Sequence, residues 1–252
     1  MIKLLSLFSG IGAFESALER CGRPYEVVNY CEIDPHASRS YSQIHGVPEA
    51  KNLRDVCAID TAKISGVNLI TYGFPCQDIS VSGKQHGFEH NGERTRSGLF
   101  YEALRIIQDL QPEYAIEILQ IGNLIPDAGR KFTNPQTGRV YDPQGLSPTI
   151  NTAQGGLREV KIIETTPEAY RIRKLTPREC WRLMGFTDAE FDRVKGVSNT
   201  QLYKQAGNSI VVNVLEAIFK QLPIWRTSLR NKKSPEGNPR GLTLGLMKNH
   251  YP

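Results

Sequence analysis

The chain contains no uninterrupted apolar run near the roughly 20 residues that a helix needs to cross a bilayer. Its opening, Met1 to Phe14, is cut by Ser6, Ser9, Gly10 and Gly12 before Glu15 arrives, so neither a signal peptide nor a membrane anchor is expected. Cysteine is scarce and unpatterned. The five (Cys21, Cys31, Cys57, Cys76, Cys180) are an odd number, with no Cys-x-x-Cys and no Cys/His pair at zinc-finger spacing. A disulfide scaffold and a structural zinc are therefore not expected, and a reducing cytoplasm is the natural location. Internal repeats and low-complexity tracts are absent as well. So is net charge over most of the length: the formal +5 falls entirely in residues 224–252, where Arg226, Arg230, Lys232, Lys233, Arg240 and Lys248 face only Glu236. Such a tail is either a solvated end or a contact for a polyanion, and charge alone leaves both open.

What is present is an ordinary globular composition, 39% hydrophobic and 23% charged over 252 residues, enough for one α/β domain with a small appendage. An apolar strand pattern at 2–8 runs into the turn Ser9-Gly10-Ile11-Gly12 and then a helix that Gly22 stops. Further strand patterns end at Glu32-Ile33-Asp34, near Leu53-Arg54-Asp55-Val56, and at Gly73-Phe74-Pro75-Cys76-Gln77. A helix pattern at Leu99–Leu110 and a short strand at Tyr114–Ile116 follow. Strands alternating with helices predict a doubly wound parallel sheet, whose ligands sit beyond the carboxyl ends of the strands, where these clusters fall. From 117 to about 172 the text turns rich in Gly, Pro, Asn and Thr; helical periodicity returns at Leu175, and a last helix follows Gly207-Asn208-Ser209 and closes at Pro223.

The glycine turn superficially suits a dinucleotide at a helix N-terminus, but the third glycine of that fingerprint is replaced by Glu15. A carboxylate aimed at a pyrophosphate would repel it, which favours a ligand with a smaller anionic group. Glu32, 22 residues after Gly10, stands where an acid accepts from ribose hydroxyls. Cys76, directly after Pro75 and ahead of a Gly-punctuated stretch, reads either as an activated thiolate under a closing loop or as a buried structural cysteine.

Taken together, Phe8-Ser9-Gly10-Ile11-Gly12, Glu32-Ile33-Asp34, Asp55-Val56, Gly73-Phe74-Pro75-Cys76-Gln77, Ser97-Gly98-Leu99-Phe100, Gly145-Leu146-Ser147-Pro148-Thr149-Ile150, Arg173 to Glu179 and Gln205-Ala206-Gly207-Asn208-Ser209 make eight clusters in one order. In this the chain resembles the cytosine-5 DNA methyltransferases, most of all bacterial and phage modification enzymes. The resemblance implies a Rossmann-like S-adenosylmethionine-dependent sheet with a small target-recognition region. It implies a cofactor site of Phe8, Gly10, Gly12, Glu32, Ile33, Asp55, Val56, Pro75, Leu99, Asn208 and Ser209. Phe8 would pack on adenine, Glu32 would take the ribose, Asp55 would accept from the adenine amino group, and Leu99 and Asn208 would line the wall. Cys76 would attack carbon 6 of a cytosine flipped from duplex DNA, with Gln77, Ser80, Pro148, Thr149 and Arg173 in target recognition and Arg171, Arg178 and Arg182 near phosphates. No metal is implied.

Two parts of that family are missing. Its Glu-Asn-Val, whose glutamate holds cytosine N3, is replaced by Glu117-Ile118-Leu119, with Glu117 one residue out of step and so a poor substitute. Its Gln-Arg-x-Arg is absent, since no Gln-Arg dipeptide occurs. An internal deletion between Ile116 and Glu117 accounts for both and leaves the sheet incomplete. The expected organisation is 1–116 as cofactor-binding and catalytic domain, 117–172 as a remnant of the recognition region, 173–223 as helices returning to the first domain, and 224–252 as the basic tail. Impaired cytosine-5 methylation is the leading reading, and a separate complementing chain would supply what is missing. The alternatives are an inactive DNA- or cofactor-binding remnant and an RNA cytosine methyltransferase with the same cysteine motif. Amino-group methylation is disfavoured because no Pro-Pro-aromatic motif occurs.

Overall fold

Strand β1 (Ile2–Leu7) is the centre of the molecule because Leu4, Leu5, Ser6 and Leu7 are all buried, so both faces must be covered. A strand apolar on both faces belongs inside a parallel sheet flanked by helices. That is its setting in the computed structural model, which describes residues 1–73, 89–90, 93–94, 97–117, 140–141, 161–165 and 170–222. Helix α1 (Ala13–Arg20) follows β1, then β2 (Tyr25–Cys31), α2 (Pro35–His45), three short 3-10 turns between Glu49 and Lys63, and β3 (Leu69–Tyr72). The two-residue strands β4 (Glu89–His90) and β5 (Glu93–Arg94) precede α3 (Phe100–Leu110) and β6 (Tyr114–Glu117). Beyond them come β7 (Val140–Tyr141), β8 (Lys161–Thr165), β9 (Tyr170–Lys174), α4 (Pro177–Leu183), α5 (Asp188–Arg193), α6 (Asn199–Asn208) and α7 (Val212–Gln221).

The main sheet runs β2-β1-β3-β6, every pairing parallel, and among the described residues it has these four strands. The chain leaves β1 toward β2 and then crosses back to β3 on the other side, so the switch point lies at the carboxyl ends of β1 and β3. On one face Leu4, Leu69 and Ile116 pack with Ala17 and Leu18 of α1 and Leu215 and Phe219 of α7, the rings of Phe14 and Phe219 standing 6.3 Å apart. On the other, Leu5, Leu7, Ile70 and Ala115 pack with Ala103, Ile106 and Ile107 of α3. β7, β8 and β9 form a separate small sheet.

The C-terminal helices are locked by caps and by one aromatic centre. Thr176 with Glu179 and Thr187 with Glu190 make complete capping boxes on α4 and α5. Trp181, fully buried, donates through Nε1 to the Leu202 carbonyl at 3.0 Å and lies against Phe186 and Phe191. Polar ties join this layer to the N-terminal half: Ser16 donates to Glu190, Arg20 to the Gly185 carbonyl and Arg193 to the Ile44 carbonyl.

Two sequence expectations change. The segment ending near Leu53-Val56 is not a strand; it is a single bridge, Asn52 with Tyr30, followed by a 3-10 turn at Val56–Ala58. Glu15 does not face a ligand. It is fully buried, and its Oε1 accepts from Tyr41 Oη at 2.9 Å, so repulsion of a pyrophosphate by this carboxylate is not what selects the ligand.

Candidate functional site

A cavity of about 500 Å³ opens beyond the carboxyl ends of β1, β2 and β3. Three strand ends supply its floor: Phe8 to Ile11 after β1, Cys31 to Asp34 at the end of β2, and Gly73 after β3. Arg54, Asp55 and Val56 form one wall, Leu99 another, and the end of α6 with Ser209 and Ile210 closes it. The volume lies within the range of small-molecule sites, and apolar walls with a few convergent polar groups are the usual composition.

Geometry fixes the carboxylate at the centre. Glu32 Oε2 accepts from Gly10 N at 2.8 Å and Oε1 accepts from Asp34 N at 2.8 Å. Burial pushes the Glu32 carboxyl above its ordinary value, while those two backbone N–H groups pull the other way. Asp34 caps α2 by accepting from His36 N and Ala37 N, and its other oxygen accepts from Lys204 Nζ of α6 at 2.7 Å. Burial acts to raise the Asp34 carboxyl, but the Lys204 hydrogen bond and the two backbone donors outweigh it and hold it below the usual carboxylate range. Asp55 caps the following 3-10 turn through Cys57 N, at 2.9 Å.

Backbone strain gathers here too. Of three non-glycine residues with positive φ in the described residues, Phe8 (54°) and Arg54 (64°) line the cavity and only Gln111 ends a helix elsewhere. Such conformations cost about 1–3 kcal/mol each and persist where surrounding structure holds them in place.

Of the residues expected to hold a cofactor, Phe8, Gly10, Glu32, Ile33, Asp55, Val56, Leu99, Asn208 and Ser209 come together in this one cavity. Gly12 does not line it; it caps α1 at φ 83° and lies against His45. Pro75, Cys76, Gln77, Ser80, Pro148 and Thr149 fall outside the described residues. Glu117 ends β6 opposite Tyr72. Three of the four arginines assigned to DNA have acidic partners: Arg173 makes a two-pronged pair with Glu179 at 2.8 Å on each arm, Arg178 pairs with Asp192 and Asp188, and Arg182 with Asp188. Sequence reasoning missed the Asp34–Lys204 pair and Arg54, although Asp34-Pro35 is a helix-start signal and Lys204 adjoins the quoted Gln205 cluster.

The C-5 cytosine-specific DNA methylase family model matches residues 2–116 and 121–223. The chain belongs to that family. The match breaks at 117–120, beginning with the last residue of β6, next to where the sequence already places a deletion. The orphan methyltransferase M.SPBetaI of Bacillus phage SPbeta is 25% identical over 430 residues, covering 88% of this chain and 97% of that protein. The type II methyltransferase M.HhaI of Haemophilus parahaemolyticus is 26% identical over 322 residues, covering 86% and 93%. A chain of 252 residues cannot fill either alignment, so the methylase is shorter than these relatives. In fold it resembles S. pombe Dnmt2, with a TM-score of 0.66 at 17% identity, covering 89% of this chain and 99% of that one. By family the methylase is a DNA cytosine-5 methyltransferase, a class dependent on S-adenosylmethionine.

Proposed function

We propose that the cavity holds S-adenosylmethionine for cytosine-5 methylation of duplex DNA through a Cys76 adduct, and that loss of the segment after β6 impairs turnover. The observation that supports the cofactor reading is convergence: nine residues chosen from sequence, spread from Phe8 to Ser209, line one cavity at the sheet's switch point. The chemistry of the lining agrees. Glu32, Asp34 and Asp55 provide acidic groups for ribose hydroxyls, an exocyclic amine and a cationic ligand, while Phe8, Ile33, Val56 and Leu99 provide apolar surface for a base. Bound there, the cofactor would supply an electrophilic methyl group.

Gly73 lines the cavity and stands three residues before Cys76 in sequence, which supports placing the nucleophile beside the methyl donor. Addition of the Cys76 thiolate to carbon 6 of a flipped cytosine raises electron density at carbon 5; once carbon 5 is substituted, loss of its proton expels the thiolate. The family's glutamate at N3 would make carbon 6 electrophilic, and Glu117, out of step by one residue, replaces it poorly. We assign 1–116 with 173–223 to the cofactor domain, 117–172 to a reduced recognition region, and the missing strands to a complementing chain.

The test is transfer of labelled methyl from S-adenosylmethionine to unmethylated duplex DNA, alongside calorimetric titration of cofactor. Tight cofactor binding with little incorporation supports the proposal. Robust incorporation that Cys76→Ala abolishes would overturn the impairment, and Glu117→Gln would then show whether that acid has been recruited. Failure to bind cofactor would overturn the site.

A further inference from the structure

Asn52 does not line the cavity, yet three of the four hydrogen bonds of its side-chain amide go to residues that do, Glu32 and Arg54. Its Oδ1 accepts from Glu32 N at 3.0 Å and from Arg54 N at 2.8 Å. Its Nδ2 donates to the Glu32 carbonyl at 2.9 Å and to Ser38 Oγ at 2.8 Å. A primary amide has two donor hydrogens and two acceptor lone pairs, so its capacity is filled. Ser38 is itself held by the buried Tyr30 hydroxyl at 3.1 Å, and Leu53 N donates to the Tyr30 carbonyl at 2.7 Å.

The consequence is a rigid spacing between two parts of the cavity. Glu32 is gripped at its main chain by Asn52 and at its carboxylate by Gly10 and Asp34. Arg54, forced to φ 64°, is gripped by the same amide and leads directly to Asp55 and Val56. One side chain therefore ties the end of β2 to the turn at Asp55, elements that also meet through the Tyr30–Asn52 bridge and through Cys31 Sγ, which donates to the Arg54 carbonyl at 3.1 Å.

We infer that Asn52 is the positioning residue for the adenosine half of the ligand, setting the separation between the acid that takes ribose hydroxyls and the wall that takes the base. This rests on the cofactor reading above. Calorimetry would compare S-adenosylhomocysteine with the same ligand lacking both ribose hydroxyls, using the full chain, Asn52→Ala and Asn52→Asp, each with a melting curve. The wild-type chain is expected to prefer the hydroxyl-bearing ligand by about tenfold or more, the equivalent of about 1.4 kcal/mol. Both variants should reduce that preference to about twofold or less, Asn52→Asp because it sets an acceptor against the Glu32 carbonyl.

A purely structural role would lower the melting temperature and weaken both ligands equally. An unchanged preference in a variant that still binds overturns the inference. Should Asn52→Ala fail to fold, Ser38→Ala removes one of the four bonds and should give an intermediate preference; an unchanged one overturns the inference as well. If the wild-type chain binds neither ligand or shows no preference, the assignment of Glu32 to the ribose fails instead, and the role of Asn52 falls with it.

Discussion

Gly10 and Gly12 sit two residues apart in one turn, both left-handed, yet substituting alanine should injure different properties. At Gly10, φ is 56° and an added Cβ meets nothing within 4 Å, so Gly10→Ala should cost only the left-handed strain of about 1 kcal/mol. At Gly12, φ is 83° and the Cβ would stand 2.0 Å from His45 Nε2 and 2.6 Å from its Cδ2. That ring cannot easily yield: its side chain is 1% exposed, lies 5.0 Å from the Tyr41 ring and is bonded to the Ile11 carbonyl at 3.1 Å. Adding about 1–3 kcal/mol for overpacking and about 1 for the disturbed hydrogen bond brings Gly12→Ala to about 3–5 kcal/mol. Urea unfolding measures the difference. Calorimetry with S-adenosylhomocysteine should show the reverse order, because Gly10 lines the cavity and Gly12 does not: affinity falls more than about tenfold in Gly10→Ala and little in the folded fraction of Gly12→Ala. Equal stability of the two variants, or a stable Gly12→Ala that cannot bind, would refute the reasoning.

Lys204→Met removes the bond to Asp34 across the cavity mouth. Because both side chains are partly exposed, 34% and 23%, stability should fall by about 1 kcal/mol or less, while S-adenosylhomocysteine affinity falls several-fold; equal affinity would show that the pair does not shape the site. Glu179 supplies a pH prediction. The Arg173 guanidinium, with the Thr176 backbone and hydroxyl, holds its carboxyl at about 2 against an ordinary 4.5. A depressed folded value means the stabilisation is present above about pH 4.5 and is lost as pH falls through about 2. The stability gap between the wild-type chain and Glu179→Gln should therefore be full at neutral pH and close on acidification; a pH-independent gap refutes the assignment.

The parts of this fold visible in the sequence are those that bury apolar faces. β1, β2, β3 and β6 read as apolar runs, and α3 and α7 carry stripes that lie under the sheet. The helices that were missed dock by polar contacts. α2 buries Ser38 and Ser40 beside Ala37, Tyr41 and Ile44, so its period is blurred, although Asp34-Pro35 and Gly46 mark both of its ends. α6 offers Leu202 and Ala206 but also buries Gln205, which accepts from Ser40 and donates to the His36 carbonyl. Hydrophobic periodicity cannot register a helix held in place by its amide. The site shows the same division: the clusters were legible, whereas the pairing of Asp34 with Lys204 and the place of Arg54 in the wall needed the fold to bring them together.

The position of the shortage bears on the proposed separation of binding from chemistry. Residues lining the cavity come from both sides of the break at 117–120: Phe8 to Leu99 before it, Lys204 to Ile210 after it. A loss at that point spares the cofactor walls only if the C-terminal helices still return to the sheet, and they do. α7 packs on α1 through Phe219, Glu190 of α5 accepts from Ser16, and α6 reaches Asp34, His36 and Ser40. The hydrogen bonds among these ties span 165 to 174 residues of sequence, and the ties lie on the face opposite α3, so none depends on strands beyond β6. By the resemblance, the segment after β6 is where the acid for cytosine N3 is expected. On the proposed reading, a chain shortened there would keep its means of holding S-adenosylmethionine and lose a means of activating the base, so cofactor affinity and methyl transfer should be uncoupled.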